Sequence, residues 1–151
     1  WLIESVFAGL RIPLKITGKN PSEKLVEAIK PYPHIEIIPN PEEITMGKLI
    51  RDAQINLLPS FSSTGIKLKL LHALFCGRHC IANNAMVSGT PLKNSCTMAE
   101  DAASFQSSIQ ALYVRPFTKE TIMLRQNILE QYFNNRRNAE QLIQWIWNPI
   151  N

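Results

Sequence analysis

The chain has 151 residues, of which 45% are hydrophobic and 19% charged, and its formal net charge is +4. This composition is typical of one globular domain and excludes a disordered chain, and no apolar run approaches the roughly 18 residues of a membrane span. The three cysteines Cys76, Cys80 and Cys96 favour a reducing, cytoplasmic compartment. Because the basic residues are dispersed without interleaved aromatics, we expect no nucleic-acid partner.

Helices are predicted in chain order over residues 1–10, 21–29, 41–53, 67–76, 102–113, 118–132 and 138–147. The first begins at Trp1 as if already in mid-course. Asn20 and Asn40 each precede a proline, which is the pattern of a helix cap followed by proline at the first helical position. Gly77 is the expected C-cap of the fourth helix.

Strands are predicted between these helices over residues 13–17, 34–38, 54–58, 79–82 and 95–98, with a long loop over residues 83–94. Short strands that alternate with helices require parallel crossovers, hence an α/β sheet covered on both faces. Ligands bind beyond the carboxyl ends of such strands. The loops after Thr17, Ile38, Leu58 and Ala82 are therefore the candidates for a site.

The loop between Ser60 and Lys67 is rich in hydroxyls and leads from a strand into a helix. Backbone N–H groups and the positive end of the helix dipole favour an anion there, and Gly65 allows close approach of a ligand. Lys67 would add a positive charge beside a phosphate. The alternative is ordinary helix capping by one of the Ser or Thr side chains.

Within residues 57–82, the pattern consists of Leu-Pro-Ser, a short loop with a glycine, an amphipathic helix ending in Cys-Gly, and a strand. Its defining positions are Leu58, Pro59, Ser60, Gly65, Leu70, Leu71, Ala73, Cys76, Gly77, Ile81 and Ala82. In these residues the chain resembles the donor-site segment of retaining glycosyltransferases with the two-domain GT-B fold. The resemblance implies a Rossmann-like, doubly wound domain over residues 1–151, with C-terminal helices in residues 117–151.

The sequence departs from this family at three positions of the segment. Two family glutamates, which contact the transferred sugar and the nucleotide ribose, are Thr64 and His72 in this chain, and a family glycine is Lys67. By resemblance we assign the sugar contact to Thr64 and the ribose contact to His72, the two catalytic candidates. The predicted donor-binding residues are Lys19, Ser62, Ser63, Thr64, Gly65, Ile66, Lys67 and His72.

The predicted function is transfer of a hexosyl or mannosyl group from a nucleoside diphosphate sugar, with no covalent cofactor and no bound metal. The resemblance also implies an N-terminal acceptor domain and a first strand that the chain lacks, so this fragment alone is expected to be inactive. That strand would lie beside residues 13–17 and 54–58. The alternatives are a non-catalytic partner-binding module on the same scaffold and a sugar-nucleotide epimerase.

Four smaller features each allow two interpretations. His72, Cys76, His79 and Cys80 resemble a metal cluster, but adjacent strand residues point to opposite faces, which favours a buried thiol and a satisfied histidine over zinc. Lys19 follows a strand and is either donor-facing or solvated. The aromatic C-terminal helix with Trp145 and Trp147 favours packing on this domain or the absent one over peripheral association with the cytoplasmic face of a membrane. In the loop after the fourth strand, Asn83 and residues 88–90 either line the donor cleft or belong to an ordinary surface loop.

Overall fold

In the computed structural model the described residues are 1–62, 65 and 67–147. The chain opens with a π-helical turn over Leu2–Val6 and a 3-10 turn over Phe7–Gly9, and a further 3-10 turn covers Lys93–Ser95. The α-helices are α1 (Glu23–Ile29), α2 (Glu43–Asp52), α3 (Leu68–Cys76), α4 (Asn84–Val87), α5 (Ala102–Tyr113), α6 (Lys119–Phe133) and α7 (Asn135–Trp147).

The strands form two parallel sheets where a single sheet was expected. The strands are β1 (Leu14–Gly18), β2 (Ile35–Pro39), β3 (Ile55–Leu58), β4 (His79–Ala82) and β5 (Thr97–Met98). β1 pairs with β2 in one sheet, and the order in the other is β3-β4-β5, with β4 central. The predicted α/β class with parallel strands flanked by helices is thereby confirmed.

Strand β4 shows why the three-stranded sheet is covered on both faces. All four of its residues are buried. Ile81 packs into a core cluster with the opening turns and α5, whereas Cys80 and Ala82 pack into a second cluster with α3, α4 and α6. Because successive strand residues point to opposite faces, a continuous apolar run such as this one supplies both cores.

A groove separates the two sheets. Along it run the unpaired edges of β1 and β3, together with parts of the opening turns and α2. Its volume is about 1040 Å³. The residues of β3 are all only half-buried, as are Leu14 and Ile16 of β1, although the parallel strand β4 is fully buried. The two strands therefore each have one hydrogen-bonded neighbour and one open edge.

The starts of α1 and α2 correct the predicted caps. Ser22, not Asn20, caps α1, since its side chain accepts a hydrogen bond from the Leu25 N–H. Asn20 and Asn40 instead adopt left-handed backbone conformations, with φ of 47° and 48°. Asparagine tolerates this region better than most residues, which is why the Asn-Pro pairs form turns after β1 and β2 rather than caps.

Two further predictions are wrong in detail. Residues 1–10 form a π-helical and a 3-10 turn where a regular helix was expected, and the predicted loop over residues 83–94 contains α4. Gly77 does end α3, but with an extended backbone rather than a left-handed one. A Cβ at this position would meet the Asn56 side-chain amide and would lie 2.7 Å from the Ala73 carbonyl oxygen, so glycine is required by close approach.

The C-terminal helices differ in how they pack. In α6, Arg125 and Leu129 are buried, whereas every described residue of α7 is exposed, including Trp145 and Trp147. The helix was predicted to pack either on this domain or on the absent one. Its exposure shows that it does not pack on this domain. Among the described residues, no helix is both long and apolar enough to cross a bilayer.

Candidate functional site

The loop after β3 begins with a serine turn at the carboxyl end of the strand. The Ser60 hydroxyl donates a hydrogen bond to the Ser62 carbonyl at 2.8 Å and accepts one from the Ser62 N–H at 3.3 Å. The exposed Phe61 ring lies 6.1 Å from the Trp1 ring, centroid to centroid. This contact puts the start of the chain beside the carboxyl end of β3.

Asn83 fixes the same loop from the neighbouring strand. Its side-chain nitrogen donates to the Ser60 carbonyl at 2.7 Å, and its side-chain oxygen accepts from the Ser60 N–H at 3.0 Å. The same oxygen accepts from the Met86 N–H at 3.1 Å and so caps α4. Because one amide group makes all three bonds, it joins the loop after β3 to the turn after β4.

The far end of the loop leads into α3. Gly65 has a φ of +68°, which is the left-handed region that favours glycine. Lys67 occupies the cap position of α3, and its side chain makes no capping hydrogen bond to the helix. The predicted alternative, capping of this helix by one of the loop's Ser or Thr side chains, stays a prediction, since Ser63 and Thr64 lie outside the described residues. A helix N-terminus of this kind attracts anions through its N–H groups and its dipole.

The predicted donor-binding residues are spread over both sheets. Gly65, Ser62 and Lys67 lie in the loop between β3 and α3, and His72 is an exposed residue on the second turn of α3. Lys19 is exposed and follows β1, on the other sheet. Three remaining candidates, Ser63, Thr64 and Ile66, lie outside the described residues.

The residues of the suspected metal cluster that are buried, His79 and Cys80, have separate structural roles. The ring of buried His79 donates to the Arg115 carbonyl at 3.1 Å, as expected of a satisfied histidine, and forms a T-shaped pair with the Phe117 ring. Burial raises the pKa of Cys80 to about 12 and that of Cys96 to about 11. These two thiols therefore stay protonated at neutral pH and are not nucleophiles.

Two structural contributions were missed by sequence reasoning. Asn83 was interpreted as a cleft residue or as ordinary loop surface, although an asparagine after a strand is also a signal for a helix cap. Arg125 donates to the Gly77 carbonyl at 2.6 Å and the Arg78 carbonyl at 2.7 Å, and its guanidinium lies 4.7 Å from the centre of the Phe117 ring. No local pattern marks this arginine as buried.

Parallel strands, helices on both faces of β4 and a glycine-containing loop at a helix N-terminus define a Rossmann-like α/β domain. A family model, Glycosyl transferases group 1, matches residues 1–114, and the chain belongs to that family. The fold and this match agree with a GT-B glycosyltransferase domain. No curated protein and no solved structure gives a significant match.

Proposed function

We propose that this domain binds a nucleoside diphosphate sugar, the donor whose hexosyl group the enzyme transfers to an acceptor. The observation that carries the proposal is the loop between Ser60 and Lys67, which leaves a parallel strand and enters α3 at its N-terminus, with a left-handed glycine at Gly65 and a lysine at the cap position. In glycosyl transfer the departing diphosphate gains negative charge. A helix N-terminus stabilises such charge, and an adjacent lysine adds to the effect.

The individual assignments follow from position. Lys67 stands at the cap of α3, where its ammonium group would be directed at a phosphate. His72 lies one turn further along the same helix and is exposed, which supports its assignment to the ribose. Thr64 is assigned to the transferred sugar on the family resemblance alone. Lys19, at the end of β1, is assigned to the donor side of the cleft.

Calorimetric titration of the full-length natural protein with UDP, GDP and ADP tests this proposal. We expect one of them to bind, and Lys67→Ala to weaken its binding by about tenfold, since one charge-assisted contact is worth about 1.4 kcal/mol. Lys119→Ala is the matched control, because Lys119 lies in the first turn of α6, whose N-terminus is already capped by Thr118. That control is expected to bind as the wild type does.

Two results would contradict these assignments. Absence of binding by all three nucleotides would remove the donor-binding function and favour the partner-binding module. Equal affinities of the Lys67→Ala variant and the wild type would remove only the phosphate role of Lys67. Transfer, rather than epimerisation, is tested by release of free nucleoside diphosphate from the sugar donor in the presence of acceptor.

We also propose that the groove between the two sheets is filled, in the natural protein, by a further strand from residues preceding Trp1. Each bordering strand belongs to a parallel sheet and has an unpaired edge, so one further strand paired with both would join the two sheets into one. Trp1 packs against Phe61, beyond the carboxyl end of β3. A strand that ended there would have the required direction, and the opening turns would form its crossover to β1.

Amide hydrogen exchange in the full-length natural protein tests this strand. The Leu14 N–H bonds to His34 beside β2, and the Gln54 carbonyl bonds to His79 in β4. Since N–H directions alternate along a strand, Lys15, Thr17, Ile55 and Leu57 direct theirs into the groove. We expect these four amides to exchange as slowly as those of Leu14 and Ile16. Exchange within seconds would show that the groove is open.

A further inference from the structure

Asn83 extends the pairing of β3 with β4 beyond the last residues of the two strands. The final pair of the ladder is Leu58 with Ala82. Ser60 comes two residues after Leu58, so its N–H and carbonyl face the same side, toward β4. At this position the partner is not a backbone segment but the side-chain amide of Asn83, at 3.0 Å and 2.7 Å.

The orientation of the amide is fixed by its partners. Its oxygen accepts from two backbone N–H groups, those of Ser60 and Met86, and its nitrogen donates to a carbonyl that only accepts. The N–H of Asn84, the first residue of α4, donates to the Glu100 carboxylate at 2.7 Å. The start of α4 is thus occupied by protein groups, and Asn83 is engaged in holding the loop rather than facing a ligand.

We propose that Asn83 is a positioning residue for diphosphate binding. It acts through Ser60, whose hydroxyl in turn holds the backbone of Ser62, and so fixes the first three residues of the loop that ends at Lys67. Fixing these three residues before the ligand arrives lowers the ordering cost that binding would otherwise include. This inference rests on the proposed donor-binding function.

The test compares two neutral truncations at opposite ends of strand β3. Asn83→Ser keeps a capping hydroxyl for α4 but is too short to bridge to Ser60. Gln54→Ser is the matched control, because the Gln54 amide likewise bonds two backbone groups from a distant segment, donating to the carbonyls of Leu112 at 3.2 Å and Arg115 at 2.7 Å beside the amino end of β3. Both changes remove a side-chain amide that is hydrogen-bonded to the backbone of a distant segment, and both are expected to lower the melting temperature.

Only Asn83→Ser is expected to weaken nucleoside diphosphate binding, by about tenfold, measured by calorimetry well below both melting temperatures in the full-length natural protein. Faster exchange of the Ser60 amide should accompany the loss. Equal affinity of Asn83→Ser and wild type overturns the positioning role and leaves the proposed function intact. An equal loss in Gln54→Ser assigns the effect to stability and also overturns it. No binding by the wild type overturns both proposals.

A second variant applies if Asn83→Ser does not fold. Asn83→Asp keeps an oxygen that can accept from the Ser60 and Met86 N–H groups, but it loses the side-chain N–H that donates to the Ser60 carbonyl. We expect it to weaken binding even at 1 M salt, where the screening length is about 3 Å and the added charge is largely masked. Wild-type affinity of the Asn83→Asp protein under these conditions counts against the proposal.

Discussion

The two sheets of the molecule differ in how completely their strands are enclosed. β4 has a hydrogen-bonded strand on each side and a core cluster on each face, and all its residues are buried. β1 has one neighbouring strand, and none of its residues is fully buried. Both regions have the β-branched and apolar residues of parallel strands. The difference therefore lies in the neighbours and not in local sequence.

The consequence is that the packed core and the open strand edges belong largely to different sheets. The three-stranded sheet supplies a packed framework for the loop between Ser60 and Lys67. The two-stranded sheet supplies Lys19 and a set of open hydrogen-bonding groups along the groove. A strand in that groove would remove the difference, whereas an empty groove would preserve it.

The largest expected effect compares isoleucines in the two regions. Ile81→Ala in β4 should lower the free energy of unfolding by about 4 kcal/mol, because a fully buried side chain leaves a cavity. Ile16→Ala in β1 should cost about 1 to 2 kcal/mol, because this half-buried side chain borders the groove. Urea unfolding of both variants of this chain measures the difference.

The same pair also tests whether the groove is filled. In the full-length natural protein, a strand packed beside β1 should raise the cost of Ile16→Ala toward that of Ile81→Ala. Equal costs already in the isolated chain would contradict the difference in packing. A cost for Ile16→Ala that is the same in both forms would argue against the added strand.

The fold was accessible from sequence wherever a local pattern was strong. The bounds of β4 and α5 match the prediction, since one is a short apolar run after a glycine and the other an amphipathic segment starting after Asp101. The side chain of Asp101 caps α5 by accepting hydrogen bonds from the Ser104 N–H and the Ser104 hydroxyl. These two hydrogen bonds lower the pKa of its carboxyl group. Such signals involve residues only three positions apart.

The rest depended on contacts between residues far apart in sequence. Asn83 and Ser60 are separated by 23 positions, and Arg125 lies 48 from Gly77. Neither side chain has a local signal that identifies its partner. The assignments of Thr64 and His72 came from the family resemblance, and all of the donor-site assignments remain predictions.

A smaller effect is expected from two side chains that play equivalent roles in the two regions. Arg125 bonds the consecutive carbonyls of Gly77 and Arg78, beside β4. Gln106 bonds the consecutive carbonyls of Ser5 and Val6, in the opening turn, at 3.2 Å and 3.0 Å. The arginine is buried and charged, whereas the glutamine is neutral and half-buried.

Arg125→Ala should therefore destabilise the chain by about 3 kcal/mol, and Gln106→Ala by about 1 kcal/mol, because charge-assisted bonds are stronger and buried carbonyls without partners are costly. Urea unfolding measures both, with Arg136→Ala as a control: its exposed pair with Glu140 should contribute at most about 0.5 kcal/mol. If Gln106→Ala were the more damaging change, the opening turn rather than α6 would be the element whose attachment limits stability. The region beside the groove would then have to be counted as the more firmly held of the two.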